Sequence, residues 1–157
     1  MIKVRPAGAS DSAEAIEVVR SSIRELCVLD HDNDPYTLDH WLSNKTWSNF
    51  TTWVQHPDNF CVVGEMRDRI AGVGLLHKSG EIRLFYVAPG AQRLGIGGAI
   101  CTALEECGRS SKLSALQLCS TASARAFYEA HGFEACGPQK HIYGKLSCFP
   151  YRKPISG

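Results

Sequence analysis

The sequence lacks the features that mark membrane proteins and exported proteins. No run approaches the roughly 18 consecutive apolar residues of a membrane-spanning helix, and the N-terminus carries no apolar signal segment. The 17 basic and 16 acidic side chains give a net charge of +1, so no overall field favours nucleic acid or an anionic membrane as a partner. We therefore expect a soluble, cytoplasmic protein that binds neither.

Metal-site and disulfide patterns are missing as well. The seven cysteines form no Cys-x-x-Cys pair and no Cys/His spacing of the zinc type. An odd number of cysteines also argues against a disulfide framework. The sequence therefore predicts no metal and only reduced cysteines.

Neither internal repeats nor a linker divides the chain, so residues 1–157 are predicted to form one domain. Hydrophobic periodicity predicts the element order β-α-α-β-β-β-α-β-α-β-β, with Ile142 to Leu146 as the last strand. Three strands joined by short turns between Phe60 and Val87 indicate an antiparallel meander, and a strand-helix-strand unit follows it. The predicted fold class is α+β (mixed α/β) around a mixed sheet.

The most informative segment runs from Val87 to Gly98, where a strand gives way to an amphipathic helix. A helix N-terminus presents about four unpaired N–H groups and a partial positive charge, and glycines there let a pyrophosphate approach the backbone. Gly95, Gly97 and Gly98 each cost roughly 0.5–1 kcal/mol relative to alanine inside a helix, so their presence needs a reason. Phosphate binding, aided by the charge of Arg93, is one reason, and close packing of the helix on a strand is the other.

Two other phosphate-binding patterns are excluded. A P-loop needs a Lys-Ser/Thr pair after its glycines, whereas Ala99 and Ile100 stand there. A dinucleotide-binding fold would place the glycine turn early, among alternating parallel strands and helices, whereas a meander precedes it here.

Two blocks of the sequence resemble the GCN5-related N-acetyltransferases (GNAT). The central signature of that family is Gln/Arg-x-x-Gly-x-Gly/Ala after a Val-x-Pro strand end, and Gln92-Arg93-Leu94-Gly95-Ile96-Gly97 follows Val87-Ala88-Pro89 here. The second block, Phe-Tyr-Glu-x-x-Gly-Phe, is present from Phe127 to Phe133. Together the blocks cover about Glu81 to Gly137. The resemblance implies a central, mostly antiparallel mixed sheet of six to seven strands flanked by about four helices.

The resemblance also implies that acetyl-CoA is the cosubstrate. The fourth and fifth strands would diverge to admit the pantetheine arm, whose amides would pair with the end of the fourth strand. The glycine turn would hold the pyrophosphate through its N–H groups. The implied cofactor-binding residues are Phe85, Tyr86, Val87, Gln92, Arg93, Leu94, Gly95, Ile96, Gly97 and Gly98.

Tyr128 matches the usual general acid of the family, which protonates the departing thiolate of coenzyme A. A phenol suits that task because its ordinary pKa of about 10 keeps it protonated at neutral pH. A packing role on the helix is the alternative. Many members of the family carry an asparagine seven residues before this tyrosine, and Thr121 stands there instead.

The attacking amine must be neutral, so a base is needed. Glu81 lies six residues before Val87, which is the spacing of the glutamate base in the histone-acetyltransferase branch of the family. Glu81 could instead pair with Lys78 in a solvated hairpin. His77, and His31 with its neighbouring aspartates, are further candidates.

Cys119 has no histidine at a recognisable spacing, so we expect direct transfer in a ternary complex, without a thiol intermediate.

The preferred hypothesis for the acceptor is a small-molecule amine. A protein lysine or N-terminal α-amine, and a non-catalytic acyl-CoA-binding module, are the alternatives. The closing segment His141 to Lys153, with the aromatic pair Phe149 and Tyr151, could form a homodimer interface. Two groups of side chains could contribute to an acceptor pocket. The groups are the tryptophans Trp41, Trp47 and Trp53, and the aspartates Asp30, Asp32, Asp34 and Asp39.

Overall fold

The structure, a computed structural model, describes residues 1–156. Gly157, which the predicted domain includes, lies outside the described residues. The N-terminal part contains strand β1 (Ile2–Pro6), a 3-10 turn (Ala9–Asp11) and four helices, and the meander of β2, β3 and β4 follows it. The helices are α1 (Ser12–Leu26), α2 (Val28–His31), α3 (Pro35–Leu42) and α4 (Trp47–Gln55), and the strands are β2 (Asn59–Met66), β3 (Arg69–His77) and β4 (Ile82–Val87).

The C-terminal part begins with α5 (Ile96–Ser110) and β5 (Ala115–Ser120). It continues with α6 (Arg125–Ala130), β6 (Glu134–Ala135), β7 (Lys140–Tyr143) and β8 (Leu146–Pro154). The predicted last strand over Ile142 to Leu146 is wrong, because Gly144 has a positive φ of 53° and turns the chain there. That segment contains the hairpin turn between β7 and β8, and β8 is a strand that the periodicity did not predict.

The sheet consists of two halves. One half has the order β1-β2-β3-β4 with antiparallel neighbours throughout, and in the other half β8 pairs antiparallel with β5, β6 and β7. The predicted α+β class with a mostly antiparallel sheet is confirmed, although the described chain has six helices and eight strands. Among the additional elements, α2 has only four residues, and so short an element carries too few periods to be read from sequence.

Helices cover both faces of the sheet. One apolar core lies between α1, α3, α4 and the meander, and its centre includes Val19, Ile23 and Phe50, which are fully buried. The second core lies under α5 and α6 and includes Ile100, Leu104 and Leu116. No helix among the described residues combines the length and the apolar character that a membrane crossing requires.

The expectation that all cysteines are reduced is wrong. Cys119 at the end of β5 and Cys148 in β8 form a disulfide, although they are 29 residues apart in the sequence. Antiparallel pairing of the two strands places Cys119 opposite Pro150, only two residues from Cys148. Sequence spacing could not reveal this pair because the β5–β8 pairing is itself a long-range feature. The other five cysteines are thiols.

Candidate active site

A cleft opens between β4 and β5. The two strands meet at one parallel bridge between Glu81 and Gln117, where the Gln117 N–H donates to the Gly80 carbonyl at 3.0 Å. Beyond the bridge, β4 pairs only with β3, while β5 pairs with β8. The strands therefore diverge toward their C-terminal ends, as the resemblance implies, and a cavity of about 470 Å³ lies there.

The cavity brings together most of the sequence-predicted site residues. Tyr128 lines it, and so do seven of the ten implied cofactor-binding residues, namely Phe85, Tyr86, Val87, Gln92, Arg93, Ile96 and Gly97. Leu94, Gly95, Gly98 and Glu81 are not among the lining residues. The predicted strand end, glycine turn and helix therefore meet at one site.

The glycines of the turn satisfy two different requirements. Gly95 stands directly before α5 with a φ of 97°, a conformation that residues with a Cβ rarely adopt. Gly97 lies against the ring of Phe127, and a Cβ there would come within 2.8 Å of a ring carbon. Close packing therefore accounts for Gly97, while the unpaired N–H groups at the start of α5 leave phosphate binding open as a second role.

Tyr128 stands in an aromatic cage on the cavity wall. Its ring makes edge-to-face contacts with Phe85, Phe127 and Phe133 at centroid distances of 5.7, 5.4 and 5.5 Å. Burial raises the pKa of its hydroxyl above the ordinary value. Within residues 1–156 no hydrogen bond is found for its hydroxyl, which is not among the fully buried unpaired polar atoms and is therefore open to a group in the cavity.

A hydrogen-bond chain fixes α6 to β8. The Tyr151 hydroxyl donates to Glu129 Oε2 at 2.6 Å and accepts from Arg125 Nε at 3.0 Å. Tyr151 is fully buried in the core of its own chain, so its side chain is not available to the homodimer interface predicted for His141 to Lys153, which stays a prediction. Its contacts instead hold the helix that carries Tyr128.

The base candidates differ in their access to the cavity. Glu81 accepts a hydrogen bond from Arg83 Nε at 2.6 Å, and Arg83, unlike Glu81, lines the cavity. His77 shares a 2.9 Å hydrogen bond with the Ser79 hydroxyl in the turn before β4. His31 is fully buried with both ring nitrogens engaged, Nε2 with the Ile23 carbonyl and Nδ1 with the Asn33 N–H, each at 2.9 Å. These contacts give His31 a structural role.

Asp30 makes a long-range contact that no sequence pattern predicted. Its buried carboxylate accepts from the Ala122 N–H at 2.7 Å, from the Ser123 N–H at 3.4 Å and from the Ser123 hydroxyl. These groups lie in the loop between β5 and α6, so Asp30 connects α2 to the start of the helix that carries Tyr128. The neighbouring Thr121, where the family often has asparagine, lines the cavity.

The other aspartates and the tryptophans lie in differing surroundings. Asp34 caps α3 by accepting from the Thr37 N–H at 3.1 Å, and Asp32 is an exposed partner of Lys145. Trp41 is buried and donates to the Tyr86 hydroxyl at 3.4 Å, whereas Trp47 is exposed. Among residues 1–156, no cluster of three or more His, Cys, Asp or Glu side chains could hold a metal ion.

Comparisons with known proteins agree with this geometry. The sequence profile of the GNAT acetyltransferase domain matches residues 27–153. The chain therefore belongs to the GNAT acetyltransferase family, whose members in general transfer an acetyl group from acetyl-CoA to an amine. A comparison with curated protein sequences gives no significant match.

Solved structures share the fold at low sequence identity. A GCN5-related N-acetyltransferase from Rhodopseudomonas palustris is 18% identical with a TM-score of 0.86, over 98% of this chain and 95% of that one. The PaiA N-acetyltransferase from Thermoplasma acidophilum, in complex with coenzyme A, is 16% identical with a TM-score of 0.83, over 98% and 99%. The ribosomal-protein-S18-alanine N-acetyltransferase from Escherichia coli is 18% identical with a TM-score of 0.72, over 100% and 96%. These likenesses show the GNAT fold.

Proposed function

We propose that this chain, as a single domain, transfers an acetyl group from acetyl-CoA to a primary amine by direct attack in a ternary complex, and that the acceptor is a small molecule. The observation that carries the proposal is the cavity between the diverging strands, with the glycine turn and Tyr128 on its walls. The coenzyme A bound to the T. acidophilum relative of the same fold supports it.

The residues around the cleft suit acetyl-CoA. Because β4 is the outer strand of its half-sheet, the backbone of Phe85 to Val87 is free on the cleft side to pair with pantetheine amides. The N-terminus of α5 offers N–H groups to the pyrophosphate, and Arg93 on the cavity wall adds a positive charge. The segments Phe85 to Val87 and Gln92 to Gly98 are therefore the proposed cofactor site.

Acetyl-CoA supplies the acetyl group as an activated thioester. Tyr128 is the proposed general acid, whose hydroxyl donates its proton to the departing thiolate. The raised pKa keeps this hydroxyl protonated throughout the neutral range, and the aromatic cage fixes the direction in which it donates.

Glu81 remains the proposed base. Its carboxylate lies outside the cavity lining, so it would take the proton of the amine through a water molecule, beside the guanidinium of Arg83. Substitution of Glu81 by Gln should lower the rate most below the pKa of the amine, where little of the acceptor is neutral. An unchanged rate and pH profile would exclude Glu81 as the base.

Contacts between α3 and the β7–β8 turn favour a small acceptor. The Lys145 N–H donates to the Thr37 hydroxyl at 2.9 Å, and His40 stacks on Tyr143 at a centroid distance of 3.9 Å. These contacts join the N-terminal helices to the C-terminal hairpin, across the space where a protein segment would need an open groove. In the closing segment His141 to Lys153, the exposed Ile142 is available to a homodimer interface, and light scattering over a wide concentration range tests for a dimer.

The test is release of coenzyme A thiol from acetyl-CoA with three sets of acceptors at equal concentration. The sets are small primary amines, lysine-containing peptides with a blocked N-terminus, and lysine-free peptides with a free α-amine. We expect release with small amines, together with an acetylated product by mass spectrometry. Release with a peptide set alone would make the protein-acetyltransferase alternative correct, and binding of acetyl-CoA without release would favour the non-catalytic one.

A further inference from the structure

The disulfide between Cys119 and Cys148 lies at the wall of the candidate active-site cavity. Leu116 and Leu118 of β5 are buried in the core beneath α5 and α6, so the alternate residues, including Cys119, point to the other face of the strand. Cys119 is exposed and lines the cavity, whereas Cys148 is buried. A molecule in the cavity therefore meets the disulfide from the Cys119 side.

The proposed reaction releases a thiol in the same cavity. Each acetyl transfer converts the thioester of acetyl-CoA into the free thiol of coenzyme A. Tyr128, the proposed proton donor to that sulfur, and Cys119 line one continuous cavity. Thiolates attack disulfides through a mixed disulfide, at a rate set partly by access to the sulfur that is attacked.

We propose that Cys119 is a thiol-exchange site for coenzyme A. This inference rests on the proposed function, because it requires coenzyme A in the cavity. The coenzyme A thiolate attacks Cys119 Sγ, so that a bond forms between these two sulfurs and the Cys119–Cys148 bond breaks. The electron pair of the broken bond goes to Cys148 Sγ, which takes up the proton that the coenzyme A thiol has lost. No other oxidant or reductant takes part.

The adduct would be reversible and inhibitory. Coenzyme A held on Cys119 occupies the cavity that acetyl-CoA needs, so acetyl transfer stops. Cys148 stays beside the mixed disulfide and reverses the reaction when its thiolate attacks Cys119 Sγ. Cys148 is the resolving thiol because it is the original bonded partner of Cys119, with the two Cα atoms 5.3 Å apart.

The test begins with the oxidised protein and coenzyme A thiol without oxygen, followed by an acid quench and mass spectrometry. Free thiols cannot react with coenzyme A thiol under these conditions, so only the disulfide can form an adduct. The exposed Cys136 is replaced by Ser to prevent disulfides between molecules. We expect one coenzyme A on the peptide that contains Cys119, one new alkylatable thiol at Cys148, and activity that a small dithiol restores.

Two controls show whether the cavity directs the exchange. Glutathione at the same concentration should give at least about tenfold less adduct, because only coenzyme A is held next to the sulfur. Desulfo-coenzyme A, which has no thiol, should raise the unfolding temperature and form no adduct. A Cys148→Ser variant treated with coenzyme A disulfide should accumulate the adduct, because it has no resolving thiol.

The outcomes separate this inference from the proposed function. No adduct on Cys119, or equal adduct with glutathione, in a protein that turns over acetyl-CoA would overturn the exchange site and leave the acetyltransferase intact. If desulfo-coenzyme A does not stabilise the protein and acetyl-CoA is not turned over, both the exchange site and the proposed acetyltransferase function are overturned.

Discussion

The proposed cofactor half of the active site, from β4 to α6, and the proposed acceptor half, from α1 to α4, are built in different ways. In the cofactor half, groups close together in sequence form the site: the end of β4, the glycine turn and the start of α5 are continuous. In the acceptor half, position depends on contacts between distant residues, such as Asp30 with the loop at Ala122 and Thr37 with Lys145. A site formed by local backbone geometry can be recognised from a short motif, and one formed by long-range side-chain contacts cannot.

The largest effect should come from the chemistry of the cofactor half. Substitution of Tyr128 by Phe removes the proposed proton donor and keeps the aromatic cage, so turnover should fall by roughly 10²- to 10⁴-fold while acetyl-CoA binding changes little. Steady-state kinetics and calorimetric titration measure the two quantities.

Tyr86 provides the matched control for this change. It lines the same cavity, and its hydroxyl accepts from Trp41 Nε1. The Tyr86→Phe variant should keep most of the turnover. Equal losses in the two variants would mean that Tyr128 only packs.

The next largest effect, on both stability and turnover, should come from loss of the long-range Asp30 contact in the acceptor half. Asp30→Ala leaves the N–H of the half-buried Ala122 without its charged acceptor, so the free energy of unfolding should fall by about 1–3 kcal/mol and turnover should fall with it. Asp30→Asn keeps one acceptor oxygen and should recover part of both. Urea unfolding and kinetics measure the change, with Asp39→Asn on the exposed surface of α3 as the control. An Asp30→Ala variant with unchanged free energy of unfolding and unchanged turnover would contradict a linking role for this carboxylate.

Two glycines next to each other in α5 separate packing from helix propensity. A Cβ on Gly97 would come within 2.8 Å of the Phe127 ring, so Gly97→Ala should cost about 1–3 kcal/mol and weaken acetyl-CoA binding by displacing the turn. A Cβ on Gly98 would lie 3.3 Å from the His131 ring, where alanine also gains helix propensity. Gly98→Ala should therefore change the unfolding temperature little. Equal changes for Gly97→Ala and Gly98→Ala would remove the packing explanation.

The smallest effect is a pH dependence in the acceptor half. Burial lowers the pKa of Lys45 from 10.5 to about 8, which disfavours its charged form in the folded protein. The unfolded chain therefore binds more protons between these values, and stability rises with pH across that window. The free energy of unfolding of wild type, measured relative to Lys45→Met, should increase from about pH 8 to 10.5. Lys3→Met, at an exposed position, should show no such trend.

The comparison of the two halves also explains what the sequence could predict. The meander, the glycine turn and the position of Tyr128 follow from local patterns, and the structure brings them together at one cavity. The Asp30 contact and the Cys119–Cys148 disulfide could not be predicted, because each depends on which distant elements become neighbours. The roles of Tyr128 and Glu81 stay predictions, since geometry alone does not measure proton transfer.

Thermal unfolding with and without acetyl-CoA tests the central claim most directly, with ATP as the control. At about 100-fold above its dissociation constant a ligand adds ~2.7 kcal/mol of stability, which for a domain of this size corresponds to roughly 5–10 °C. We expect a shift of that order with acetyl-CoA and none with ATP. No shift at millimolar acetyl-CoA would contradict the assignment of the cleft between β4 and β5 as the cofactor site.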